Sequence, residues 1–89
     1  MLFPLGQVVA TPGALHVLEQ KHVDARALLG RHQAGDWGDV PAEDRRENEL
    51  SVSQGFRILS SYPLADDERV WIITEADRSV TTILLPDEY

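Results

Sequence analysis

The chain has 89 residues, enough for one domain with a single modest core that buries about 60–65% of its unfolded surface. Hydrophobic residues make up 43% and charged residues 26%, as in a soluble globular domain, and the lack of cysteine excludes disulfides, thiolate catalysis and cysteine zinc sites while fitting a reducing cytoplasm. Fifteen acidic side chains face eight basic ones, for a net charge of −7 with Lys21 the one lysine; phosphate contacts need clustered Lys and Arg, so the expected partner is a protein with a basic surface and not nucleic acid.

The start, Met1–Val9, is apolar but has no basic n-region and is interrupted by Pro4 and Gly6, so it does not read as a signal peptide. No run approaches the roughly 20 apolar residues of a membrane helix, and no membrane association is expected. Gln7–Ala10 is strand-like after the Pro4-Leu5-Gly6 turn. Thr11-Pro12 then marks a helix start: a hydroxyl to cap, and a proline at the first position, where an amide would go unused. Leu15 and Leu18 continue that helix. Asp24 can cap a second one, with Val23 folding onto Leu28 and with Gly30 or Gly35 as the stop.

Gly35-Asp36-Trp37-Gly38-Asp39 reads as a tight connection that turns Trp37 inward. Pro41 opens a third helix, running roughly to Ser53, with Glu43, Asp44 and Glu47 near its positive N-terminal end and Gly55 beyond it. This is the most polar helix, with Val40, Leu50 and Val52 as its main apolar contributions. The pattern then changes period. Phe56–Tyr62, Arg69–Thr74 and Val80–Leu85 alternate as strands, the last two flanking the polar break Glu75–Ser79 as a β-hairpin. The fold class expected is α+β: one domain over residues 1–89, with N-terminal short helices followed by a three-stranded antiparallel β-meander.

Both faces of that hairpin are apolar. Val70, Ile72 and Thr74 alternate with Trp71 and Ile73. Helices can cover one face; the other calls for Leu2–Val9 folded back over it, for a homodimer through the β-sheet, or for a partner.

Chemistry is sparse. His16 and His22 lie six apart and share no helix face, and neither they nor His32 has ligand-spaced companions, so no metal is expected. No glycine-rich phosphate loop or nucleophile elbow occurs, and no cofactor is expected. Two sets of candidate residues remain. The first is an acidic binding face of Asp36, Asp39, Glu43, Asp44 and Glu47. The second is an alternative small-enzyme or ligand site in which His32 and Asp36 form an acid–base pair with the charged tip Glu75, Asp77, Arg78 and Ser79.

Leu5–Leu15, His32-Gln-Ala-Gly-Asp-Trp-Gly38, Asn48, Trp71–Ser79 and Thr81–Pro86 together resemble a family of roughly 90-residue bacterial proteins carried on plasmids and integrated elements. Some of these are labelled as a type I restriction–modification subunit. A methyltransferase subunit needs a cofactor-binding α/β domain and an Asn-Pro-Pro-aromatic motif, and this chain contains neither. The resemblance implies a mobile-element setting and carries no catalytic residues. The reading is a small acidic, non-enzymatic interaction module, one that inhibits or modulates a nucleic-acid-binding defence complex.

Overall fold

The computed structural model describes residues 1–89. In chain order the elements are β1 (Gln7–Ala10), α1 (Pro12–Gln20), α2 (Ala25–Gln33), α3 (Ala42–Gln54), β2 (Ile58–Pro63), β3 (Arg69–Thr74), β4 (Val80–Leu84) and a C-terminal 3-10 turn, Pro86–Glu88. The helix starts follow local chemistry. Thr11 Oγ1 accepts from the Ala14 amide at 3.1 Å, and Asp24 Oδ1 accepts from the Arg26 amide at 2.9 Å. Gly55, at φ 77°, ends α3 in the left-handed conformation. Gly30 does not stop α2; the helix runs through it to Gln33, is capped by Ala34, and is followed by Gly35 in the left-handed conformation at φ 85°, the second of the two expected stops.

The sheet has four strands in the order β1-β4-β3-β2, and this corrects the expected three-stranded meander. β2, β3 and β4 are antiparallel neighbours, while β1 joins the outer edge of β4 in parallel, Gln7 opposite Val80 and Ala10 opposite Ile83. The sheet is therefore mixed. Gly6 makes the addition feasible: at φ 65° it passes so close to the hairpin tip that a Cβ would collide with the carbonyl oxygens of Arg78 and Ser79.

One face of the sheet carries the main core. Tyr62, Val70, Ile72 and Ile83 pack against Ala14 and Leu18 of α1 and Leu28 of α2. Burying each large aliphatic side chain contributes about 1.5–3 kcal/mol. A second cluster joins Phe3, Trp37, Val40 and Ile58, so the N-terminal segment turns inward at its third residue.

The other face is not covered by Leu2–Val9. Ile73 and Leu84 are 3% and 6% exposed, and the C-terminal turn lies over this side, its Tyr89 ring 5.8 Å from Trp71 and under the Arg57 guanidinium at 5.4 Å. Glu88 fixes the turn in place, accepting from the Thr11 hydroxyl at 2.6 Å and the Leu85 amide at 2.7 Å. Ile73 and Leu84 are thus buried within the chain, while Trp71 stays partly exposed.

The β2 edge is closed as well. The Asn48 side-chain amide on α3 donates to the Leu59 carbonyl at 2.7 Å and its oxygen accepts from the Leu59 amide at 3.1 Å, standing in for a missing strand. Two residues on, the Ser61 amide donates to the Trp37 carbonyl at 3.0 Å, and the Ser61 carbonyl accepts from the Asp39 amide at 2.7 Å. Gly38, at φ 75°, sits at this contact, where a Cβ would strike the Ser61 carbonyl oxygen. Asn48→Ala strands both Leu59 groups beside a buried site and should cost about 1–3 kcal/mol in urea denaturation. Asn48→Asp should do no better, since it sets a carboxylate against the Leu59 carbonyl. A melt within experimental error of the parent would show the edge bonds to be replaceable by water.

Trp37, 3% exposed, is the anchor of the second cluster. Its Nε1 is buried without a hydrogen-bond partner, which itself costs about 1–3 kcal/mol. Removing a large buried aromatic costs about 3–5 kcal/mol, so packing outweighs the orphaned donor and Trp37→Ala should be clearly destabilising by the same assay.

Candidate functional site

His32 stands at the centre of the interior. α2 carries it against the stacked pair Phe3 and Trp37, whose rings meet its own edge-to-face at 5.2 and 6.0 Å. Ser60 Oγ lies 2.6 Å from Nδ1 and Thr74 Oγ1 2.9 Å from Nε2. The Thr74 hydroxyl is 2.7 Å from that of Thr81, and Thr81 donates to the Leu5 carbonyl at 2.7 Å. That last bond assigns every proton. Thr81 has spent its one hydrogen on Leu5, so Thr74 donates to Thr81, and His32 Nε2–H donates to Thr74. Nδ1 then accepts from Ser60. The ring is neutral, and burial, aided by the Arg78 charge, pushes its pKa down to about 4.

A serine hydroxyl at 2.6 Å from an imidazole nitrogen has the geometry of a nucleophile and its base. Here His32, Ser60, Thr74 and Thr81 are all fully buried, so a substrate would have to displace the core to reach them. The chain of bonds is a structural relay. Strand parity carried its signal: Ser60 falls between inward-facing Ile58 and Tyr62, and Thr74 continues the row Val70–Ile72. Polar residues in an apolar row imply a buried partner.

The hairpin tip is occupied with its own turn. Asp77 Oδ1 accepts from the Ser79 amide at 3.0 Å and the Ser79 hydroxyl at 2.6 Å, and these bonds hold the Asp77 carboxyl below its ordinary range. Arg78 sits at φ 63°, a left-handed conformation unusual outside glycine and asparagine. Its guanidinium spans the carbonyls of Ser51 at 2.8 Å, Phe56 at 2.7 Å, Ala76 at 3.1 Å and Glu75 at 3.2 Å. It ties the tip to the C-terminal turn of α3 and lies over the Phe3 ring at 5.5 Å. Glu75 is exposed, and His32 is sealed behind Phe3 and Trp37. Asp36 binds Arg31 at 2.7 Å, and that bond lowers the Asp36 pKa. His32, Asp36 and the Glu75–Ser79 tip thus do not converge on one accessible centre.

The acidic face divides in two. Asp36 and Asp39 are ion-paired, with Arg31 and with Arg69 at 3.3 Å, and Tyr62 Oη donates to the Asp36 carbonyl at 2.6 Å. Burial pushes the Tyr62 hydroxyl up to about 12, so it remains a donor there. Glu43, Asp44 and Glu47 are exposed, with no cation within ion-pair distance. Asp44 and Glu47 also line a groove of about 530 Å³ between α3 and the start of β2, together with Leu50, Phe56, Arg57 and Leu59. Leu50 and Phe56 are 53% and 55% exposed. Elsewhere, no three His, Asp or Glu side chains are grouped to hold a metal ion, and no helix is long and apolar enough to cross a membrane.

No family model matches the chain, and no curated protein or solved structure matches it.

The relay makes a pH prediction with a definite sign. The unfolded imidazole titrates near 6.5 and the folded one near 4, so the folded state binds fewer protons across that interval. Stability is unaffected above the unfolded value, falls as pH drops from 6.5 towards 4, and levels off below. By pH 5 the loss should reach roughly 2 kcal/mol. The carboxylates with lowered pKa values contribute at lower pH, starting near 3.8–4.5. Urea midpoints at pH 7 and pH 5 measure the effect. His32→Gln, less stable at both, should show a much smaller difference between them.

Proposed function

We propose that this protein is a small acidic, non-enzymatic interaction module that engages a protein with a basic surface through the free carboxylates of α3. The observation that carries this reading is the contrast between its polar groups. The histidine, serine and threonines that could do chemistry are consumed in a sealed relay, and the tip residues Asp77 and Arg78 hold their own turn. Asp36 and Asp39 flank the face but are bound to arginines. Glu43, Asp44 and Glu47 remain free, so a partner can pair with them without first breaking an internal bond.

The net charge of −7 supports steering towards a cationic surface. In the mobile-element setting that the resemblance implies, the partner is a component of a nucleic-acid-binding defence complex in the cytoplasm. A surface that holds phosphates presents the clustered Arg and Lys that this face fits.

The test is affinity capture from the native bacterium with mass spectrometry, followed by kinetics with the purified partner. Raising the salt should slow association more than it speeds dissociation, because exposed charges are screened over about 8–10 Å at physiological ionic strength. The triple variant Glu43→Lys, Asp44→Lys, Glu47→Lys should weaken binding with the fold kept and the melting point lowered modestly, because lysines replace the first-turn acids at the positive end of α3. A complex indifferent to both salt and the triple reversal removes the acidic face from the reading.

A further inference from the structure

The groove beside those carboxylates narrows the chemistry of the partner, and this step rests on the reading above. Asp44, Glu47 and Leu50 follow one another at three-residue spacing along a single ridge of α3. The facing wall is Phe56, Arg57 and Leu59. The volume of about 530 Å³ falls within the range of about 300–1,000 Å³ typical of ligand sites. One end is anionic and the other apolar. Two carboxylates, Asp44 and Glu47, face one cation in the lining, Arg57, whose guanidinium keeps its charge while lying 5.4 Å over the Tyr89 ring, so the groove is net anionic.

The backbone decides what form of chain can enter. An extended peptide gains affinity by adding to a free strand edge. On β2 that edge is spent: Leu59 is bonded through both its amide and carbonyl to Asn48, and Ser61 to Trp37 and Asp39. An incoming strand would find the Leu59 and Ser61 groups already taken, whereas a helix satisfies its own backbone and docks by side chains alone.

We propose that the groove between α3 and β2 receives an amphipathic cationic helix of the partner protein, its apolar side chains on Leu50, Phe56 and Leu59 and its Lys or Arg side chains on Asp44 and Glu47.

The experiment uses ¹⁵N-labelled full-length protein and two synthetic peptides of identical composition. One places leucines at helical i, i+3, i+4, i+7 spacing with lysines on the flanks; the other scrambles the order. Amide shifts should saturate with the first peptide and concentrate within residues 44–59, with the scrambled peptide about tenfold weaker. Phe56→Ser should weaken the first peptide by a similar factor, and Leu50→Ser provides a second exposed position should Phe56→Ser fail to fold. Asp44→Lys with Glu47→Lys should weaken both peptides. If the charge variant weakens binding while Phe56→Ser and Leu50→Ser do not, or if the two peptides bind alike, the groove is overturned and the acidic face stands. If neither kind of variant matters, or if shifts spread equally to Asp66–Glu68, both readings fall.

Discussion

Much of this small fold depends on one requirement: the imidazole of His32 must be satisfied in the dry interior. An unpaired polar group there costs about 1–3 kcal/mol, a large fraction of the total stability of a domain this size. The solution is a one-directional run of hydrogen bonds, from Ser60 through His32, Thr74 and Thr81 to the Leu5 carbonyl. It links α2, β2, β3, β4 and the segment before β1. Each link fixes the donor role of the next, so a change at one end propagates to the other. Phe3, Trp37 and the hairpin tip then pack around the relay and exclude water.

The ends of the sheet follow a second economy. A four-stranded sheet has two edges, and an uncovered edge invites pairing with other chains. On β2 the side chain of Asn48 and the backbone of Trp37–Asp39 fill the hydrogen-bonding positions. At the other side of the sheet β1 adds to β4, entering through Gly6 and leaving through the Thr11 cap, where Glu88 also binds, and is itself the outer strand, with Gln7–Val9 exposed. The largest recess at the surface is the groove along α3, where free carboxylates meet exposed Leu50 and Phe56.

Residues close in sequence made much of the architecture legible. Thr11-Pro12, Asp24 and Gly55 mark helix boundaries because their bonds and backbone angles involve partners within a few residues. The Arg69–Thr74 and Val80–Leu84 strands follow from alternation, and the buried Trp37 from the glycines on either side of it. The acidity of α3 is likewise written in its composition. What alternation could not say was which partner each strand takes. Gln7–Ala10 has no preference of its own between lying over a face and joining an edge; it pairs with β4 because α1, α2 and the C-terminal turn already occupy the faces.

The roles of the polar residues were decided only by the tertiary structure. His32, Asp36, Asp77 and Arg78 share a chemical vocabulary with an active site, and sequence carries no information on whether such groups converge or are spent elsewhere. Packing turns His32 inward onto hydroxyls 28 and 42 residues away, binds Asp36 to Arg31, and draws Arg78 onto carbonyls of α3 and Phe56. Hydrogen-bond satisfaction is settled over the whole molecule, since each buried donor takes whatever acceptor the assembled core leaves within reach. Composition and short-range pattern alone determined the acidic surface and the α+β class; which acids stay free, and which groove they border, was fixed when the distant strands and helices came together.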